Sequence, residues 1–164
     1  MASLSSMRDF AQRIQKNYPR LDVLINNAAT VPPIRTTTID GLETQFVVNV
    51  LSYFFLMYTL SSFLRRSGHA RVINVASNLA GDLDLSDMQF ETRKYDNMLA
   101  YKQCKQADRQ LSWAGTFGLL LRFPPSFVPS LLPIHLCLPL TRPSLRSSLP
   151  PSLLQALSSL PVVV

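Results

Sequence analysis

Between Phe46 and Leu60 almost every residue is apolar, with Asn49, Ser52 and Thr59 as the interruptions. A helix of that kind has no face to offer to water, so it must be buried on more than one side. Two short runs flank it, Val23-Leu24-Ile25 and Val72 to Ala76. Both are apolar on successive residues, which is how a parallel strand reads when helices cover both faces of its sheet. The remaining pieces fit around these three. Ser3 can cap a helix that starts at Leu4, with Leu4, Met7, Phe10, Ala11 and Ile14 on one face and Pro19 as its stop. Asp40 with Glu43 resembles a capping box for the apolar helix. Arg65 and Arg66 suit that helix's C-terminal dipole, and Gly68 can close it in left-handed geometry. Asp82 to Asn97 is polar and reads as a loop, and a further helix carries Tyr101. Helix, strand, helix, strand, helix is the order of an α/β doubly wound parallel sheet.

The character changes near Asp108. Nine of the 12 prolines fall in residues 109–164, among long runs of Ser and Leu. Prolines at such intervals suit neither a helix nor a central strand. The expected division is a folded unit over 1–108 and a Pro/Leu/Ser-rich, disordered tail over 109–164. Charge follows the same boundary. Residues 1–108 carry 12 basic and all 10 acidic residues, and the tail carries four scattered arginines. The formal charge of +6 is therefore diffuse, and no nucleic-acid partner is expected. Cys104 and Cys137 form no C-x-x-C pair, so no metal site is expected and a reducing compartment fits. Met1 to Asp9 has no apolar h-region, and no run reaches the ~18 apolar residues of a membrane span. The expected location is the cytoplasm.

Tyr101 and Lys105 stand four residues apart, on one face of a helix. A free phenol with a pKa of about 10 is a poor base at neutral pH. A nearby ammonium favours the phenolate and makes such a phenol a usable acid/base. Ser77 lies at the C-terminal end of the second strand, where open α/β sheets bind ligands. Its hydroxyl could hold a substrate oxygen near Tyr101. Asn49 is a lone amide on an apolar helix and must find partners: either a neighbouring backbone, or a water linking Lys105 to solvent. Asn26 and Asn27 end the first strand beside Ala28 and Ala29, small enough for a ligand to approach the backbone. Each feature alone also fits a plainer role: a surface tyrosine, a loop-capping serine, an Asn-rich turn.

Taken in order, strand-Asn-Asn-Ala, helix-Asn, strand-Asn-x-x-Ser and Tyr-x-x-x-Lys resemble the short-chain dehydrogenase/reductase family from about Ser3 to Ala107. Leu42-Glu43-Thr44-Gln45-Phe46-Val47-Val48-Asn49 and Asp84-Leu85-Ser86-Asp87-Met88-Gln89-Phe90 resemble its retinol-dehydrogenase-like branch. The resemblance implies a partial Rossmann-like fold and hydride transfer between NADP or NAD and a lipophilic alcohol or carbonyl. It casts Tyr101 as general acid/base, Lys105 as the phenolate-stabilising cation and ribose contact, Ser77 as substrate-oxygen donor and Asn49 as relay. Asn26, Ala28, Tyr101 and Lys105 would meet the cofactor. The sequence departs from the family in three places. It contains no T-G-x-x-x-G-x-G turn, Ala29 stands for the glycine of N-N-A-G, and the Pro/Leu/Ser stretch stands where a Pro-Gly nicotinamide contact is due. The chain is therefore expected to be truncated at both ends. The alternative is a catalytically inactive fragment that associates with an intact relative. Homo- or heterodimers would use the 46–60 and 100–110 helices.

Overall fold

A computed structural model describes residues 1–116, with no side chains described from 114 onward. The expected tail beyond 116, Cys137 included, lies outside the described residues. The first helix, α1 (Leu4–Asn17), has Ser3 as its N-cap, whose hydroxyl accepts from Ser6 N–H at 3.4 Å. Leu4, Met7 and Ala11 are buried and Phe10 is not, so the apolar stripe is narrower than the sequence pattern. Strand β1 (Val23–Asn26) pairs in parallel with β2 (Arg71–Asn74), Ile25 beside Ile73 and Asn26 beside Asn74.

The crossover between them is one long helical run. It starts as α2 (Thr44–Phe46), passes through a π-helical turn (Val47–Leu51), and continues as α3 (Ser52–Thr59) and α4 (Ser61–Arg66). From Phe46 to Met57 every side chain but Val48 is buried within this chain. Helix α1 packs on α3, and α5 (Asn97–Thr116) packs on α2 and the π turn. Helices of the same chain thus pack along the apolar run. Helix α5 itself runs eight residues past the compositional change at 108.

Two expectations change. Glu43 itself is the N-cap of α2, accepting from Gln45 N–H at 2.8 Å and Phe46 N–H at 2.6 Å. Asp40 instead accepts from Leu4 N–H at 2.9 Å and helps to cap α1. The sheet is also covered on one face only. Leu24 and Asn26 are buried beneath the helices, while Val23 (46% exposed), Ile25 (59%) and Ile73 (46%) face outward. No described element packs on that side, so the alternating pleat leaves these apolar residues in water.

Candidate active site

Helix α5 brings Lys105 to the C-terminal end of β2, while Asn26, Ala28 and Asn49 lie around the end of β1. Three bonds tie this helix to the chain leaving β2. Lys105 Nζ donates to the Val75 carbonyl at 2.7 Å, Arg109 Nη2 donates to the Ser77 carbonyl at 2.8 Å, and Gly81 N–H donates to the Lys102 carbonyl at 3.3 Å. Asp96 caps the start of α5, its Oδ1 accepting from Met98 and Leu99 N–H at 2.9 Å each.

Lys105 is 2% exposed, unusual for a lysine. Its second bond runs to Asp108 Oδ2 at 2.9 Å, and the Tyr53 ring centroid lies 5.2 Å from Nζ. Burial works against its charge, but the Asp108 carboxylate outweighs this and holds Lys105 above the ordinary lysine value. Burial acts the other way on Asp108, pushing its carboxyl up to about 7 against the pull of Lys105. Asp108 Oδ1 has no partner among the described residues. Sequence reasoning missed Asp108, although its three-residue spacing from Lys105 was as visible as that of Tyr101.

Tyr101, one turn before Lys105, is half-buried, and its hydroxyl makes no hydrogen bond among the described residues. It is an electrostatic neighbour of Lys105. Ser77 stands three residues beyond β2. Its hydroxyl is taken up in its own turn, accepting from Leu79 N–H at 3.1 Å, and no hydrogen bond joins it to Tyr101 among the described residues. The geometry shows a loop-capping serine whose hydroxyl accepts from Leu79 N–H and lies 3.4 Å from Asn78 Oδ1 on its donor side.

Asn49, fully buried in the π turn, spans the gap to the segment after β1. Its Oδ1 accepts from Thr30 N–H at 2.8 Å and its Nδ2 donates to the Thr30 carbonyl at 3.0 Å. The amide therefore acts as a main-chain clamp here, the first of the two roles open to it. Tyr53 is a second clamp, missed by sequence reasoning: its hydroxyl donates to the Ala28 carbonyl at 3.0 Å. Asn26 lies on the buried face of β1. Its Nδ2 donates to Asn74 Oδ1 at 2.8 Å, and Asn74 passes the chain on to Ser112 at 3.0 Å. Asn26 is thus held inward by Asn74, while Ala28 is half-buried in the clamped turn. No cluster of three or more His, Cys, Asp or Glu poised for a metal occurs among the described residues. No described helix is long and apolar enough to cross a membrane.

A family model for the short chain dehydrogenases matches residues 1–86, ending before Tyr101. Retinol dehydrogenase 13 of Mus musculus is 42% identical over 109 residues, which cover 65% of this chain and 33% of that protein. Retinol dehydrogenase 14 of Homo sapiens is 39% identical over 110 residues, covering 66% and 32%. The WW domain-containing oxidoreductase of Gallus gallus is 37% identical over 114 residues, covering 64% and 28%. The chain thus spans about a third of the length of these relatives. Among solved structures, an uncharacterised protein from Mycobacterium paratuberculosis superposes with a TM-score of 0.58 at 32% identity, over 74% of this chain and 45% of that one. A short-chain dehydrogenase from Streptomyces avermitilis gives 0.50 at 25% identity, over 73% and 42%.

Proposed function

The chain belongs to the short chain dehydrogenase family of oxidoreductases, and from that premise we propose that it carries the acid/base half of a nicotinamide-dependent alcohol/carbonyl site. The one observation that supports this best is the unbonded phenol of Tyr101, one helical turn from a lysine that is buried yet kept charged. The arrangement sets a fixed positive charge beside a hydroxyl that is free to exchange a proton. The likeness to retinol dehydrogenases 13 and 14 favours a lipophilic, retinol-like alcohol or carbonyl as substrate.

The residues present fit the nicotinamide-ribose end of NADP or NAD. An ammonium has three protons, and the bonds to Val75 and Asp108 use two of those on Lys105. Ala28 and Ala29 leave the backbone after β1 open to close approach. When bound, the nicotinamide would supply or accept the hydride. The protein's own part is to exchange a proton at the Tyr101 oxygen and to keep Lys105 charged. The Asn49 and Tyr53 clamps hold the 28–30 turn in shape. Ser77 would join by turning its O–H from Asn78 Oδ1 to a substrate oxygen, while still accepting from Leu79 N–H. The sequence holds no glycine-rich turn for the pyrophosphate, so micromolar cofactor binding by this chain alone is not expected. The alternative, a non-catalytic partner of an intact relative through the 46–60 and 100–110 helices, has less support, because the first of these is buried within the chain.

The test supplies the turn. A chimera joins the glycine-rich N-terminal segment and the C-terminal segment of a retinol dehydrogenase to this chain's residues 3–113, which keep Asp108 beside Lys105, and NADPH- or NADH-dependent reduction of a retinoid aldehyde is measured. Tyr101→Phe should lower turnover by about 10²–10⁴, the usual size of a general acid/base contribution. Unchanged turnover in that variant would remove the assignment.

A further inference from the structure

Lys105 has an anchor that the Tyr-x-x-x-Lys pattern does not contain. We propose that Asp108 is a positioning residue for Lys105: its carboxylate, 2.9 Å from Nζ, acts with the Val75 carbonyl to fix the ammonium at the end of β2. The importance of fixing it there rests on the role given to Lys105 above.

The groups facing Lys105 are few. Strand β2 continues into the Val75 carbonyl, α3 presents the Tyr53 ring, and α5 itself presents Asp108 and Tyr101. The neighbouring Arg109 is exposed and bonds to the Ser77 carbonyl. A carbonyl dipole and a ring face do not replace the hydration an ammonium loses on burial. Asp108 is the ionisable acid hydrogen-bonded to this lysine, and it is itself fully buried. Removing it would leave a buried amine favouring its neutral form. A neutral amine would no longer set a positive charge beside the Tyr101 hydroxyl.

A purely structural purpose explains the pair poorly. Buried ion pairs add little net stability, and apolar residues of similar size often do as well. Asp108 also leaves Oδ1 without a partner. A residue that tolerates this while pointing its other oxygen at Nζ acts on the lysine.

The chain's lysines are Lys16, Lys94, Lys102 and Lys105, few enough to follow individually. The full chain, labelled with 13C at lysine Cε, is titrated by NMR, and Lys105→Arg assigns the Lys105 signal. In the wild type Lys105 should titrate above the three other lysines. In Asp108→Asn its midpoint should fall by about one pH unit or more, as burial is no longer opposed. Asp108→Glu should restore most of the difference. A merely structural aspartate would lower stability in Asp108→Asn and leave the Lys105 midpoint in place, which overturns the proposal. If circular dichroism shows the Asn variant unfolded, the wild type decides, and a Lys105 midpoint level with the surface lysines is the refuting result. The titration involves neither cofactor nor substrate. Its failure leaves the oxidoreductase reading standing, and failure of the Tyr101→Phe chimera leaves the lysine titration standing.

Discussion

Asn49 offers the sharpest test of how the site is held. Asn49→Ala removes an amide that is fully buried and satisfies both main-chain groups of Thr30. It also takes a donor, at 3.5 Å, from Oε1 of the fully buried Gln45. Thr30 is half-buried, so water recovers part of its loss and the low end of the usual range applies, about 1 kcal/mol for each of its two groups. Gln45 has no such access and loses about 1 kcal/mol more. The expected destabilisation is therefore about 2–4 kcal/mol, a sizeable share of the 5–15 kcal/mol that typically holds a domain together. Urea unfolding followed by circular dichroism measures it, and hydrogen exchange at the Thr30 amide locates it. Asn49→Asp is the control for direction. Its carboxylate can still accept from Thr30 N–H, but it sets a charged acceptor against the Thr30 carbonyl. Its pKa in the folded state should therefore rise above the unfolded value. Raised folded pKa means stability present at low pH and lost as pH rises, so acidification from pH 7 towards 4 should recover part of the loss. A cost under about 0.5 kcal/mol, the usual scatter of neutral surface changes, with unchanged exchange at Thr30 would show that the clamp is not a real constraint.

Two further outcomes follow from the same structure. Burial pushes the Asp108 carboxyl up to about 7, above the ordinary aspartate value of about 3.9, so its contribution to stability should decline as pH rises from about 4 to 7, by at most about 4 kcal/mol; the wild-type curve minus that of Asp108→Asn isolates it, and a flat difference would contradict it. On the outward face of the sheet, Ile25→Thr and Ile73→Thr should each cost under about 1 kcal/mol, whereas Leu24→Thr beneath the helices should cost about 2–3 kcal/mol; equal costs for the three, measured by urea unfolding, would mean that both faces are covered.

The fold was legible where one element's signals lie within that element. Ser3 ahead of Leu4, the apolar run after Phe46, and Gly68 at φ +77 closing α4 are all local, and the structure follows them. Two features were not local. Asp40 was read with Glu43 because three residues separate them, but its partner is Leu4, 36 residues away. Val23 and Ile25 were read as doubly buried because composition reports a residue's preference for burial and not whether a neighbour exists to bury it. The π turn at Val47–Leu51 gave no sequence signal at all, although it places Asn49 opposite Thr30.

The same division runs through the site. Tyr101 and Lys105 share a helix, so their spacing alone put them together. What holds them over β2, and what shapes the 28–30 turn beside it, is a set of side chains and main-chain N–H groups bonded to carbonyls: Val75 for Lys105, Ser77 for Arg109 and Lys102 for Gly81 in the first case, Ala28 for Tyr53 and Thr30 for Asn49 in the second. Every residue carries such a carbonyl, so no sequence pattern marks the ones that matter. The donors are visible and their acceptors are not, so the sequence leaves Asn49 open to a backbone bond or a water, and only the fold shows Thr30 as its partner. Asp108 falls on the legible side, three residues from Lys105 on one helix face, yet α5 reads as a mixed, half-polar helix in which an aspartate usually meets water. Only the burial of both partners turns that ordinary spacing into a constraint on the lysine. Side-chain identity in this site states which groups can exchange or stabilise a proton, and the tertiary bonds to unmarked carbonyls decide which of them are placed to do so.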